Sequence, residues 1–247
     1  MKNRIEKLKP LINFNKDEFI VVRILQRKKD NPNLEYSVKQ LKTYSFYSWE
    51  ELESQIDRIK EICDMNNARA YIRLNKQNSV DVSLRCIAEI SDNLRTGNSS
   101  KNKGVWDSVS GKGGSKDWWV LDLDEEHLDF DLSFNHDIRF VNEQINIEIN
   151  PKYKMDLCTD LIRRLGYEYY LRSEYRNIEK GCEFHFEPEK YGFNIVKNPS
   201  KSGMHIICKP FDTRILDKYN KELSSKGIQT IQIQKDANTI LYIGNNN

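Results

Sequence analysis

The spacing of apolar residues in the first third of the chain predicts two strands followed by a helix. Residues 18–25 and 39–46 are short segments rich in residues that favour strands, and the turn-forming stretch RKKDNPN separates them. Ser48 and Glu51 have the spacing of a capping box, which marks the start of a helix. The apolar residues of that helix recur on one face: Leu52, Ile56, Ile59 and Ile62.

Strict alternation at 69–75 predicts a third strand, because successive side chains of a strand point to opposite faces. The face predicted to meet a core carries Ala70, Ile72 and Leu74. The opposite face carries Arg69, Tyr71 and Arg73. A second helix is predicted at about 80–94, with its buried face formed by Val80, Leu84, Ile87 and Leu94.

The remainder of the chain predicts a loop, a strand, a helix and three further strands. Residues 95–116 are rich in Gly, Ser, Asn and Lys and read as a mobile loop. The apolar strand DWWVLDLD follows at 117–124. Pro151 and Gly166 bound a predicted helix at about 151–165. The last predicted strands are 205–211, 228–234 and 239–243, which makes the layout α+β.

Composition excludes some classes of protein and leaves the function open. Apolar residues make up 38% of the chain and charged residues 31%, and no apolar run is long enough to span a membrane. The first ten residues do not resemble a signal peptide, so the expected location is the cytoplasm of the cell that makes the protein. The net charge of +2 does not by itself indicate a nucleic-acid-binding protein, because phosphate contacts need only a local basic surface.

The five cysteines are scattered and form no CxxC pair, which favours a reduced protein over a disulfide framework. Cys182 and His185 form one C-x-x-H pair, but no second pair lies at finger-like spacing. We therefore expect no structural zinc.

A pair of carboxylates, Asp122 and Asp124, ends the predicted strand at 117–124. Residues two apart share a face of a strand, so both carboxylates point the same way while Leu121 and Leu123 face a core. Two like charges at that distance favour a bound cation, and oxygen ligands suit Mg²⁺ or Mn²⁺. The alternative is an ordinary acidic turn at the end of a strand. Trp118 shares the face of the aspartates, and burial in the core is the favoured interpretation for it.

A second stretch, SKSGMH, opens the strand predicted at 205–211. Glycine allows a close approach of the backbone, and hydroxyl groups, a lysine and N–H groups together suit a phosphate. The candidate residues are Lys201, Ser202, Gly203, His205 and Lys209. A structural histidine at the start of a strand is the alternative.

A third stretch, IQIQKD, brings Asp236 to the end of the strand predicted at 228–234. Alternation along this strand is expected to place Gln232, Gln234 and Asp236 on one face. Carboxylates after strands are common, so this feature alone carries little weight.

Taken in order, the three stretches resemble the archaeo-eukaryotic primase superfamily. WVLDLD is similar to its first motif, SKSGMHII to its second and IQIQKD to its third. ICKPFD and KDANTILYI resemble phage- and plasmid-encoded members, and the similarity spans roughly residues 18–245. The stretch between the first and second motifs is long for the family, and GKGGSK lacks the spacing of a helicase P-loop.

The resemblance implies one catalytic domain with a split, RRM-like antiparallel or mixed sheet and flanking helices. Its N-terminal αβ half would span 1–95, a mobile basic loop 96–116, and the RRM-like half 117–247 with a helical insertion at about 125–199. The loop's lysines are candidates for contact with a nucleic-acid backbone, with a solvated loop as the alternative: Lys101, Lys103, Lys112 and Lys116.

By the same resemblance, Asp122, Asp124 and Asp236 would be catalytic carboxylates that hold two Mg²⁺ or Mn²⁺ ions. His205 would contact the triphosphate of an incoming nucleotide, with Ser202, Lys201 and Gly203 nearby. Three further candidates for triphosphate or template contacts have a solvated sheet face as their alternative interpretation: Arg69, Arg73 and Lys209.

The function implied is that of a DNA primase or primase-polymerase acting on single-stranded DNA template with nucleoside triphosphates, in the replication of a phage or mobile element. A separate replicative helicase is the expected partner, and no membrane is involved. One alternative is a polymerase of the same superfamily that extends existing ends in repair. Another is a nucleic-acid-binding accessory protein of replication without catalytic activity.

Overall fold

The computed structural model describes residues 1–110, 113–128, 161, 165, 195–201 and 203–244, and these form a mixed α+β structure with two antiparallel sheets. The strands are β1 (Glu18–Arg27), β2 (Val38–Phe46), β3 (Arg69–Asn78), β4 (Trp119–Asp124), β5 (Val196–Pro199), β6 (Gly203–Cys208), β7 (Gln232–Gln234) and β8 (Asn238–Ile243). The helices are α1 (Lys2–Leu8), α2 (Trp49–Ser54), α3 (Ile56–Met65), α4 (Ser79–Arg95), α5 (Val105–Val109), α6 (Glu125–Leu128) and α7 (Arg214–Ser225), with 3₁₀ turns at Lys9–Leu11 and Ser99–Asn102.

The first sheet has the order β2-β1-β3-β8 and buries one face beneath α1, α2 and α3. The predicted alternation in β3 is confirmed, because Ala70, Ile72 and Leu74 are buried in this core. β8 pairs with β3, so this last strand joins the first sheet rather than the C-terminal half in which the sequence placed it. The first sheet therefore forms only when both ends of the chain have come together.

Ser48 caps the start of α2 as predicted, and Glu51 accepts from the residue before the cap rather than from Ser48 itself. The Ser48 hydroxyl accepts from the backbone N–H of Glu51 at 3.2 Å, and the Glu51 carboxylate accepts from the backbone N–H of Tyr47 at 2.8 Å. The helix is interrupted at Gln55, so one predicted helix becomes α2 and α3. The apolar face is as expected, since Leu52, Ile56 and Ile59 are buried and Ile62 packs against them.

The prediction of which face of α4 is buried is wrong. The side of α4 that meets the sheet carries Val82 and Cys86, which pack with Phe19 of β1 and with α5. The residues predicted to be buried are between 53% and 64% exposed: Val80, Leu84, Ile87 and Leu94. α4 has two apolar stripes, and the smaller side chains of the inner one fit beneath α5. Spacing along the helix does not distinguish the two stripes.

The tract predicted as a loop at 95–116 is partly helical. Val105 and Val109 of α5 are buried against α4 and β1, so the middle of the tract belongs to a small core. Three of its lysines are exposed, namely Lys101, Lys103 and Lys116, while Lys112 lies outside the described residues. The tract is therefore anchored at its centre.

The second sheet has the order β5-β6-β4-β7, and its two faces meet different cores. Leu121 and Leu123 are buried against α7, as expected, in a core that also contains Leu161 and Leu165. The rest of the helix predicted at 151–165 lies outside the described residues. The opposite face contributes three residues to the core of the first sheet: Trp118, Val120 and Ile207. The burial favoured for Trp118 is thus confirmed, and the two sheets share one core.

Among the described residues, no helix is both long enough and apolar enough to cross a membrane.

The orientation of α4 predicts that truncation of two neighbouring side chains changes the free energy of unfolding by different amounts. Val82→Ala removes two buried methyl groups and should lower the free energy of unfolding by roughly 1–3 kcal/mol. Leu84→Ala removes a larger side chain that is 60% exposed, and should change it by no more than about 0.5 kcal/mol. Urea unfolding of the two variants measures the difference, and a larger loss for Leu84→Ala would contradict the orientation.

Candidate active site

A cleft of about 350 Å³ lies between one face of the first sheet and the strand pair β4 and β6. Among the described residues, five cations line it from both sides: Arg23, Arg27, Lys29, Arg69 and Lys201. The acidic residues that line it in the same part of the chain are Asp122 and Asp124, at the end of β4. The cleft therefore joins two adjacent carboxylates to an excess of positive charge, which suits a polyanion bound together with a cation.

Asp122 is held on the cleft side of β4 by residues of the two neighbouring strands. It lies opposite His205 in the antiparallel register, and His205 Nε2 is 3.3 Å from Asp122 Oδ1. Gln234 Nε2 donates to Asp122 Oδ2 at 3.2 Å. The hydrogen bond from His205 is the main cause of a lowered pKa for Asp122, and it outweighs the opposing effect of burial. Asp122 is therefore a fixed carboxylate that is charged at neutral pH.

A chain of buried hydrogen bonds sets the tautomer of His205. Asn198 Nδ2 donates to Thr239 Oγ1 and to the carbonyl of Ile240, both at 2.7 Å. Thr239 Oγ1 lies 2.9 Å from His205 Nδ1, and its single proton can be donated there. Nδ1 is then the acceptor, so Nε2 carries the proton that faces Asp122. Asn198 and Thr239 were not singled out from the sequence. The signal that could have identified them is the presence of a polar residue within each of two buried strands.

Asp124 is positioned through its backbone. Its N–H donates to His127 Nδ1 at 2.9 Å, and His127 Nε2 meets the carbonyl oxygen of Gln229. Because that carbonyl can only accept, His127 carries its proton on Nε2. His127 is fully buried, so it ties the end of β4 to the segment that leads into β7. Sequence reasoning also missed this residue, whose role depends on a partner distant in the chain.

Two of the cations converge on a carboxylate that sequence reasoning did not identify. Arg69 Nη2 lies 2.6 Å from Asp30 Oδ1, and Lys201 Nζ lies 2.9 Å from the same oxygen. Nearby, Arg27 Nη1 donates to the Tyr71 hydroxyl at 3.3 Å. Arg69 and Lys201 were both predicted, and the structure places both of them, like His205, in the lining of the cleft.

Four of the predicted site residues that the structure describes do not line the cleft: Asp236, Arg73, Lys209 and Gly203. Arg73 Nη2 lies 3.3 Å from Asp236 Oδ1 and donates to the Gly113 carbonyl at 2.6 Å. Lys209 Nζ lies 3.9 Å from the centre of the Trp118 ring.

The alternation expected to carry Asp236 onto the face of the aspartates does not reach it. β7 ends at Gln234, and a tight turn follows in which Ala237 has a φ of 51°. Gln234, rather than Asp236, is the residue of this stretch that contacts Asp122. Ser202 lies outside the described residues.

Gly203 allows β6 to approach β4 at the position of Asp124. The two residues are paired in the register, and a Cβ at Gly203 would lie 2.0 Å from the Leu123 carbonyl oxygen. The sequence suggested that this glycine admits a ligand, whereas in the structure it admits the neighbouring strand.

The chemistry of the donors fits a hard divalent cation. Asp122 and Asp124 present oxygen ligands from one face of a strand, and each carboxylate oxygen of Asp122 keeps a further lone pair beside its present hydrogen bond. Within the described residues, no cluster of three or more His, Cys, Asp or Glu side chains is placed to hold a metal ion. Beside the two aspartates, the described part of the chain leaves the other ligand positions of a cation open to water or to a bound phosphate, which Mg²⁺ commonly takes as ligands.

Comparison with models of known protein families, with curated proteins and with solved structures finds no match.

The close approach at Gly203 predicts a steric cost for any side chain there. Gly203→Ala should lower the free energy of unfolding by about 3 kcal/mol, because the methyl group forces β6 away from β4. Gly227→Ala is the matched control, since Gly227 has a φ of 73° and open space around it, and should cost only about 1–2 kcal/mol. Equal losses for the two variants in urea unfolding would contradict the packing described for Gly203.

Proposed function

We propose that the chain is a metal-dependent nucleotidyltransferase, a DNA primase or primase-polymerase that makes or extends primers on single-stranded DNA. The observation that carries the proposal is the cleft in which Asp122 and Asp124 face five cations. A mixed α+β fold is shared by proteins of many functions, so the proposal rests on the cleft and on the resemblance of the three motifs.

Asp122 and Asp124 would hold the divalent cations of the reaction. The cations supply neutralisation of charge on the attacking and leaving oxygens of nucleotidyl transfer. The protein fixes the Asp122 carboxylate through His205 and Gln234, and it fixes the backbone of Asp124 through His127. A carboxylate held in place before the substrate arrives lowers the cost of reorganisation in the reaction.

Two cations, one from each side of the cleft, would bind the triphosphate. Arg69 is an almost fully buried guanidinium in the cleft wall, and Lys201 approaches it from the loop between β5 and β6. A guanidinium binds phosphate oxygens through two parallel hydrogen bonds, and an ammonium adds a point charge. To contact the triphosphate, His205 would have to exchange its Nε2–H contact with Asp122 for one with a phosphate oxygen.

The excess of cations over carboxylates also favours a catalytic nucleotide site over a purely structural cluster of charges. Burial lowers the pKa of Lys29, and the nearby charges of Arg69 and Arg27 lower it further. Gathering like charges in one wall is unfavourable by itself, and a bound polyanion removes that cost. Single-stranded template, nucleoside triphosphates and a separate helicase are the partners that this function requires.

Removal of the strand carboxylates is expected to abolish synthesis. The doubly substituted protein, Asp122→Asn with Asp124→Asn, should form product at least about 100-fold more slowly than wild type, because the cations lose their ligands. The assay uses single-stranded DNA, labelled nucleotides and Mg²⁺ or Mn²⁺. Asp57→Asn, which changes a carboxylate that is 98% exposed on α3, is the matched control and should retain full activity.

Assays on primed and unprimed templates distinguish a primase from an end-extending polymerase. Product on unprimed template identifies a primase, and product only on primed template identifies an end-extending polymerase. If wild type binds single-stranded DNA without forming product with either metal, the protein is the non-catalytic accessory protein and the proposal fails. Equal synthesis by wild type and the double variant would also overturn it.

A further inference from the structure

Asp30 joins the two sides of the cleft from behind its wall. It lies in the connection between β1 and β2, and its side chain is 1% exposed. One oxygen, Oδ1, accepts from Arg69 of β3 at 2.6 Å and from Lys201 of the β5–β6 loop at 2.9 Å. The two cations therefore come from different sheets and meet at a single atom.

The segment that carries Asp30 is itself fixed to the first sheet. Asn67 Nδ2 donates to the Asp30 carbonyl at 2.6 Å, and the backbone N–H of Asp30 donates to the Arg27 carbonyl at 3.0 Å. Asn31 Nδ2 donates to the Asn67 carbonyl at 2.9 Å. The backbone that carries the Asp30 carboxylate is thus held in place by hydrogen bonds that do not involve Arg69 or Lys201.

The ion pairs of Asp30 with Arg69 and Lys201 do not have the geometry expected of a contact that serves only to stabilise the fold. The second oxygen, Oδ2, is buried and has no hydrogen-bond partner within the described part of the chain. A stabilising ion pair with arginine would engage both oxygens, because burial of a carboxylate costs free energy that only good geometry recovers. Here both cations share one oxygen, which brings two like charges close together.

The charge of Asp30 is what allows that convergence. Burial by itself would raise the pKa of Asp30, but the hydrogen bonds from Arg69 and Lys201 outweigh it and hold the pKa below its usual range. The carboxylate is therefore ionised at neutral pH and cancels one of the two positive charges. Without that negative charge, the Arg69 guanidinium and the Lys201 ammonium would repel each other at this separation.

We propose that Asp30 is a positioning residue for the triphosphate end of the nucleotide. It holds the Arg69 guanidinium and the Lys201 ammonium together at the cleft wall before the nucleotide arrives, so the binding step does not have to assemble them. This inference rests on the proposed function, because it requires a triphosphate in the cleft. Asp30 itself lies outside the cleft lining and makes no contact with substrate in this account.

The test compares Asp30→Asn with Glu18→Gln, measuring ATP and dATP affinity together with KM and kcat. Asp30→Asn keeps the shape of the side chain and removes its charge. Glu18→Gln is the matched control, because Glu18 forms a partly buried ion pair with Lys76 of β3, the strand that also carries Arg69, and does not line the cleft. Adenosine and single-stranded DNA are the probes that lack a triphosphate, and thermal unfolding monitors the fold.

We expect Asp30→Asn to weaken ATP or dATP binding and to raise KM by about tenfold, with kcat within about twofold of wild type. Binding of adenosine and of single-stranded DNA should not change. Glu18→Gln should lower the unfolding temperature without changing KM. Because Asp30 acts through Lys201, its effect should shrink in a Lys201→Gln background.

Unchanged nucleotide affinity in a folded Asp30→Asn variant would overturn the inference, as would an equal rise in KM for Glu18→Gln or strict additivity with Lys201→Gln. If Asp30→Asn does not fold, Asp30→Glu decides, since it keeps the charge and shifts the carboxylate. It should bind ATP less tightly than wild type, and wild-type affinity would reject the inference. Wild-type protein that binds no triphosphate would instead reject the proposed function.

Discussion

The antiparallel pairing of β4 with β6 is the constraint on which the site depends. Its register sets Asp122 opposite His205 and Asp124 opposite Gly203, so one strand pair carries both carboxylates and the histidine. The pairing is fixed from both faces, because Leu121 and Ile206 are buried in one core and Val120 and Ile207 in the other. A shift by one residue would exchange the two faces and remove the carboxylates from the cleft.

The cleft lies beside a part of the first sheet that the described helices do not cover. Helices α4 and α5 cover the part of that sheet around Phe19 and Val21. The part that lines the cleft carries arginines that would be costly to bury against apolar residues, and the second sheet faces them with its own polar residues. At the end of the cleft that carries the aspartates, the hydrogen bonds from Asn198 through Thr239 hold His205 in place, and His127 holds the backbone of Asp124. Buried polar side chains therefore position the residues of the site.

The spacing of apolar residues predicted those features of the fold that are set by residues close together in the sequence. The alternation of β3 and the placement of Leu121 and Leu123 beneath the carboxylates follow from side-chain direction in strands, and the structure agrees with both. The orientation of α4 could not be read in this way, because the helix carries apolar residues on two sides. Asp30 and Thr239 escaped notice because their partners lie far along the chain. Asp236 was misplaced because a turn ends the alternation at Gln234.

A crystal structure with Mn²⁺ and a non-hydrolysable nucleoside triphosphate would locate the metal and the phosphates directly. We expect anomalous signal from manganese at Asp122 and Asp124, with the phosphates against Arg69 and Lys201. Manganese absent from these two aspartates, or a triphosphate bound outside the cleft, would contradict that expectation.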